Sequence, residues 1–329
     1  MLSPFEREMA RQPEALMDLA RLPAPELERL RAFVRGGAVA TGMGSSLYAL
    51  EYLRLLLLRR GERLDVVEAA ELLQARPFHQ SLASRPLLLV SQSGESAEVV
   101  ELSSTWTGPV ALITNHPGGP ASARARVELP LLAGDEAGPA CITFLNSLAV
   151  AWLLAHPDAA PAADLAAIAE MVRRTLAADG SLDEAAQAVA SAESRVLLGR
   201  GPSLVAARQG ALTLQEAAHL WITAMGAATF RHGPMEAADS RMAAVLLIPH
   251  GPARPVQLNL AHDLAQREVR LLVVGPGLNA PHLRVDLPES PAVWSPFTET
   301  VWLQRLAVAV ARREGRVPGV LAHKVTRVL

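Results

Sequence analysis

Three short apolar runs punctuate the first half of the chain, Ala38-Val39-Ala40, Leu87 to Val90 and Val110 to Ile113, and each is followed by Gly, Ser, Asn or Pro. Runs of that length without polar alternation predict strands buried on both faces of a parallel sheet. The stretches between them, Leu47 to Arg59 and Ala97 to Ser103, read as helices, which gives the strand-helix alternation of a doubly wound α/β sheet. The second half repeats the plan with Arg195 to Leu198, Ala244 to Ile248 and Val269 to Val274, which end at Gly199, Pro249 and Gly275. Val196 follows Val39 by 157 positions, and Val245 follows Leu88 by the same 157. The pattern therefore predicts two similar doubly wound lobes. A helical arm over residues 1–35 precedes them, with the first lobe over 36–180 and the second over 181–329. An Ala-rich helical stretch from Asp158 to Ser194, broken near Asp179-Gly180-Ser181, joins the lobes. The Pro, Glu and Arg content of the arm predicts packing on the outside or on a partner subunit.

In an open parallel sheet, ligands gather beyond the carboxyl ends of the strands. The residues there are Thr41-Gly42-Met43-Gly44-Ser45-Ser46 and Ser91-Gln92-Ser93-Gly94-Glu95-Ser96, both rich in hydroxyls and both opening a helix. Backbone N–H groups, the positive end of a helix dipole and Ser hydroxyls would together receive a phosphate. Helix capping is the simpler role for Ser45, Ser93 and Ser96, and two such loops in one lobe favour the phosphate. Leu47 stands where a dinucleotide fingerprint needs its third Gly, which argues against a nicotinamide cofactor.

Composition narrows the partners. Half the residues are apolar, 19% are charged and the formal net charge is -2, so there is no excess of cations to grip a nucleic-acid backbone. The stretch from Leu47 to Leu58 is too short to span a bilayer and carries Glu51 and Arg54, so it reads as a buried helix. Glu6, Arg7, Glu8 and Arg11 interrupt the apolar run that an export signal needs. With Cys141 as the single cysteine, no intrachain disulfide forms, and a cytoplasmic location is the expectation. All basic side chains are arginine except Lys324.

The two loops resemble the signature loops of the sugar isomerase (SIS) domain family, and in particular the isomerase half of glucosamine-fructose-6-phosphate aminotransferases and the related glucosamine-6-phosphate deaminases. Further motifs match in order: Glu8-Met9-Ala10-Arg11-Gln12-Pro13, Leu198-Gly199-Arg200-Gly201, Glu216, Arg231-His232-Gly233-Pro234 and Lys324-Val325-Thr326. The resemblance implies tandem flavodoxin-like lobes. It implies that Gly44, Ser45, Ser46, Ser91, Gln92, Ser93 and Ser96 hold a sugar phosphate. It further implies that Glu216 moves a proton between C1 and C2, that His232 from a neighbouring subunit opens the ring, and that Lys324 engages the carbonyl. A homodimer follows from that sharing, and neither metal nor organic cofactor is implied.

The residues support these roles in part. Glu216 lies among Leu212, Leu214, Ala217, Ala218 and Leu220, an apolar setting that suits a general base. His219, one turn on, makes a Glu-x-x-His pair, but with no second copy the pair does not argue for a metal. His232 lies in a Gly-Pro turn and suits acid-base work near neutral pH. Lys324 has an amine that can add to a carbonyl, which an always-protonated guanidinium cannot do. A shifted register would put His323 in the lysine position instead. The glutaminase domain that opens the aminotransferases, with its cysteine after the initiator Met, has no counterpart in this sequence, so glutamine is not the expected ammonia source. Cys141 and Thr143 stand where the family carries a Ser and a Lys, in a segment that the resemblance implies lines the sugar pocket, so Cys141 is expected among the substrate-binding residues while the sugar itself stays open. The leading expectation is a phosphosugar isomerase or deaminase, with a sugar-phosphate sensor from the same family as the alternative and a purely structural subunit as a third reading.

Overall fold

The computed structural model describes residues 2–75, 82, 84–158, 160–178, 182–279 and 283–321. The expected break at Asp179-Gly180-Ser181 lies outside them, as do His323 and Lys324. The described residues fall into two compact units, each built on one five-stranded sheet. One holds Glu14–Glu136 and Ile142–Ala166, and the other holds the residues up to Pro13 with Ala137–Cys141 and Ala167–Leu321.

The first sheet contains β1 (Val39–Gly42), β2 (Asp65–Glu68), β3 (Leu87–Ser91), β4 (Val110–Thr114) and β5 (Ala125–Pro130), all parallel, in the order β2-β1-β3-β4-β5. The three strands expected from their apolar runs are the central ones, buried at every position. Helices α1 (Pro4–Asp18), α2 (Ala24–Arg35), α3 (Ser45–Arg59), α4 (Ala69–Gln74), α5 (Ala97–Thr105) and α6 (Ile142–Ala155) lie in this half of the sequence. Val39, Leu87, Leu89 and Leu112 pack on Leu72, Val99, Leu102 and Trp106 from α4, α5 and the end of α5. Leu50 and Leu53 of α3 and Ala151 and Leu154 of α6 meet Val90 and Ile113 on the opposite face. Both faces are thus covered by helices, as an all-parallel sheet requires. Arg31 of α2 is buried, and its Nε and Nη2 donate to the Leu153 carbonyl at 3.1 and 2.8 Å. The helical arm, expected to pack on the outside or on a partner subunit, contains buried apolar residues in both of its helices, Phe5 and Leu16 in α1 and Leu30 in α2.

Helices α7 (Pro161–Ala177) and α8 (Leu182–Ala190) lead to the second sheet: β6 (Ser194–Gly199), β7 (Thr223–Gly226), β8 (Met242–Leu247), β9 (Arg270–Val274) and β10 (Leu283–Val285). Its order, β10-β9-β8-β6-β7, is the first sheet's order read from the other edge, and again all pairs are parallel. Helices α9 (Pro202–Ala218), α10 (Ala227–Phe230), α11 (Arg254–Gln266) and α12 (Ser295–Arg313) complete the unit. α9 and α12 pack most closely, at Gly210: a Cβ there would stand 2.3 Å from Leu303 Cδ1. Among the described residues no helix is long and apolar enough to cross a membrane. Leu47 to Leu58 lies inside α3, where Glu51 and Arg54 form an ion pair at 2.7 Å.

The duplication extends to backbone conformation. Gly44 caps α3 with φ 50 and ψ -122, and Gly201, 157 positions later, caps α9 with φ 58 and ψ -130. Gly94 and Gly251, at the same separation, both have positive φ. Such values at a helix start leave little choice but glycine.

Candidate active site

β1 and β3 are neighbours, and the chain leaves them toward opposite edges of the sheet, so the order reverses between them. This is the switch point where open α/β sheets bind ligands. Both Ser-rich loops stand there. A Cβ on Gly42 would lie 2.8 Å from the Val90 carbonyl oxygen and 2.9 Å from Ser46 Cβ, so glycine lets the end of β1 sit against β3 and the first turn of α3. In the other loop, Ser91 Oγ accepts from the Gly94 amide at 3.1 Å, and Ser93 Oγ accepts from the Glu95 amide at 3.1 Å. The Gln92 carbonyl accepts from the Asn115 amide at 3.1 Å and from Thr114 Oγ1 at 3.3 Å, while the Ala121 amide donates to the Gly94 carbonyl at 3.1 Å. The loop is therefore held from within and from the end of β4.

Neither helix start is capped by a side chain: Gly44 precedes α3, and Ser96 precedes α5 without a side-chain bond to it. Capping thus does not account for Ser45, which is the first residue of α3, or for Ser93, which turns its oxygen onto its own loop. The first-turn amides of α3 and α5, with Ser45, Ser46 and Ser96 beside them, are donors of the kind that suits an oxyanion.

Glu216 is half-buried in the last turn of α9, flanked by buried Ala217 and Ala218. His219 ends that helix in the left-handed region, and its Nε2 lies 3.0 Å from the Val320 carbonyl oxygen. Among the described residues no group of His, Cys, Asp and Glu is arranged to hold a metal ion. Arg316 Nη1 donates to the Ala218 carbonyl at 2.9 Å, and the Gly319 amide donates to that of Ala217 at 3.2 Å, so the segment before Leu321 lies against the end of the helix that carries Glu216. His232 is exposed in the turn after α10, its amide donating to the Thr229 carbonyl at 2.9 Å, and the Arg231–Asp263 ion pair at 2.5 Å ties that turn to α11. Glu216 and His232 belong to the second sheet unit, and the Ser loops belong to the first.

Cys141 is fully buried just before α6. Glu136 caps that helix: its Oε1 accepts from the amides of Ile142 at 2.6 Å and Thr143 at 3.2 Å, and its Oε2 accepts the Thr143 hydroxyl. Sequence reasoning assigned no role to Glu136, although a carboxylate just ahead of a long apolar helix is a recognisable cap signal.

At the equivalent place in the second sheet, His250 aligns with Ser93 and Arg254 with Ala97 at the 157-residue separation. There Arg254 Nη1 lies 2.8 Å from His250 Nδ1, His250 Nε2 lies 2.5 Å from a Glu289 oxygen, and Arg254 Nη2 donates to the Pro276 and Gly277 carbonyls at 2.8 and 2.9 Å. A guanidinium–imidazole–carboxylate chain occupies that loop where the first lobe carries hydroxyls. Extending the repeat from the strands to the loops would have shown this contrast in the sequence.

The SIS domain family profile matches residues 36–157 and 188–309, the two sheet-bearing lobes. The chain belongs to the SIS domain family. It is related to the isomerase domain of glutamine–fructose-6-phosphate aminotransferase. The isomerizing aminotransferase of Methanothermobacter thermautotrophicus is 29% identical over 77% of this chain and 45% of that protein, so the chain spans about half the length of such relatives. Two solved structures share the fold. Tagatose-6-phosphate ketose/aldose isomerase from Escherichia coli has a TM-score of 0.84 at 22% identity, covering 98% of this chain and 96% of that one. Glucosamine-6-phosphate deaminase from Thermotoga maritima has a TM-score of 0.78 at 19% identity, covering 99% of each chain.

Proposed function

We propose that this SIS-family chain is a phosphosugar aldose-ketose isomerase and deaminase, acting on an amino-sugar phosphate such as glucosamine 6-phosphate. The observation that supports the reading most is the pair of uncapped helix starts and hydroxyls at the β1/β3 switch point, which suits a phosphate monoester. In this reading Gly44, Ser45, Ser46, Ser91, Gln92, Ser93 and Ser96 hold the phosphate, and Cys141 borders the sugar pocket. His232 opens the ring. Glu216 removes the C2 proton of the open-chain amino aldose and returns it to C1, and the resulting C2 imine adds water and expels ammonia, leaving fructose 6-phosphate. Lys324, or His323 in its place, engages the carbonyl. The reading includes a cytoplasmic homodimer in which His232 serves the neighbouring subunit's site.

The test is ammonia and fructose 6-phosphate release from glucosamine 6-phosphate by the wild type and by Glu216→Gln. Loss of one member of an acid-base pair slows such steps by about 10²–10⁴-fold, and equal rates would remove Glu216 from the mechanism. One observation favours the sensor alternative: the Thr143 hydroxyl is already bonded to Glu136 at a position where family enzymes present a lysine. Tight binding of sugar phosphates without turnover across a panel of aldose and ketose phosphates would establish the sensor.

A further inference from the structure

α12 runs Arg305-Leu306-Ala307-Val308-Ala309-Val310-Ala311-Arg312-Arg313, and its two sides have different fates. Leu306, Ala307, Val310 and Ala311 are fully buried within the second sheet unit. Arg305, Val308, Ala309 and Arg312, spaced i, i+3, i+4 and i+7, share the other side. That stripe lines a cavity of about 760 Å³ whose remaining walls come from the start of α1 and from the end of α7 and the first turn of α8. The floor is apolar, made by Met9, Leu176, Leu182 and Val308, while Arg305, Arg312 and Arg313 face two carboxylates, Glu6 and Asp183, across the rim.

The guanidiniums are not equally engaged. Arg312 pairs with Glu6 at 2.6 Å, and Arg305 donates to the Thr175 carbonyl at 2.8 Å. Arg313 has no acidic partner among the described residues. The rim thus carries one more positive than negative charge above an apolar floor, in a volume within the range of small-molecule sites. A sugar phosphate would leave its hydroxyls unbonded on that floor, which is unfavourable. We propose that this cavity binds a small amphipathic anion, with its carboxylate or phosphate against Arg313 and Arg312 and its hydrocarbon body on Met9, Leu176, Leu182 and Val308. The site lies wholly in the unit that does not contain the Ser loops, and it does not depend on the activity assigned to them.

Octyl phosphate and octanoate are the probes for calorimetric titration of the full chain, with octanol and inorganic phosphate as controls. Both anionic probes, or one of them, should bind saturably at least about tenfold more tightly than either control, because head and body each contribute. Arg313→Ala should weaken that binding about tenfold, and Ala309→Glu, which puts a carboxylate in the wall, should abolish it while the melting temperature stays close to the wild type's. The proposal is overturned by saturable binding of neither anionic probe. It is equally overturned if octanol or inorganic phosphate binds as well as they do, or if both folded variants bind like the wild type.

Discussion

The Glu299→Gln exchange tests the physical reading of the second lobe most directly. Glu299 lies in the first turns of α12, only 1% exposed, and its Oε1 accepts the Ser203 hydroxyl at 2.8 Å from the first turn of α9. Ser295 is its other hydroxyl neighbour, and its Oε2 has no hydrogen-bond partner. Burial pushes the carboxyl up from an ordinary 4.5 to about 8, and the two hydroxyls only partly oppose the shift. At neutral pH the native state therefore holds a proton there that the unfolded chain releases. Between pH 4.5 and about 8, the contribution of Glu299 to stability falls as pH rises, because over that window its carboxyl binds less proton in the unfolded state than in the native one. Each pH unit is worth about 1.4 kcal/mol, so the full effect is on the order of 3–5 kcal/mol once partial relaxation of the site is allowed for. Glutamine keeps the acceptor for Ser203 and cannot ionise. Urea unfolding followed by circular dichroism at pH 5, 6, 7 and 8 should show variant and wild type within about 1 kcal/mol of each other at pH 5, with the variant ahead by several kcal/mol at pH 8. Subtracting one curve from the other removes every other titrating group. Parallel curves across the window would refute the buried neutral acid.

Three further outcomes follow from the same geometry. Gly210→Ala should lower stability by about 1–2 kcal/mol despite alanine's better helix propensity, since its Cβ would press on Leu303; a thermal melt checks it, and the loss should shrink in a Leu303→Ala background. Glu136→Ala removes the acceptor for two α6 amides and the Thr143 hydroxyl, and should destabilise the first unit by about 1–2 kcal/mol, with Glu136→Gln milder. Gly44→Ala forces a Cβ into a conformation with φ 50 and ψ -122, and should abolish the thermal shift produced by fructose 6-phosphate if that loop holds the phosphate. A shift equal to the wild type's would place the phosphate elsewhere.

Much of this architecture is legible along the chain, and the reason is burial. β1, β3 and β4, and their counterparts β6, β8 and β9, lie in sheet interiors with helices on both faces, so their positions must be almost uniformly apolar and stand out as runs. The flanking strands β2, β5, β7 and β10 are only partly buried, as Asp65 and Glu68 in β2 and Arg126 and Glu128 in β5 show, and they leave no such run. The spacing of 157 and the Gly-Ser loops after the strands are likewise written in the sequence, because glycine is needed where the backbone takes positive φ or approaches a neighbouring strand.

Side-chain partners that are distant in sequence are not written there. Nothing near Glu299 distinguishes it from a surface carboxylate until α9 brings Ser203 to it, and Thr143 reads as an open pocket residue until Glu136 folds back to take its hydroxyl. Cys141 looks like a pocket residue in sequence, and its complete burial follows from how the surrounding chain closes over it. Local pattern determined the strands, the loops and the duplication, since each depends on the burial or dihedral angles of consecutive residues. The charge state of Glu299, the capping of α6 and the rim of arginines beside α1 were decided by tertiary structure alone, because each depends on which distant groups share a low-dielectric or concave space.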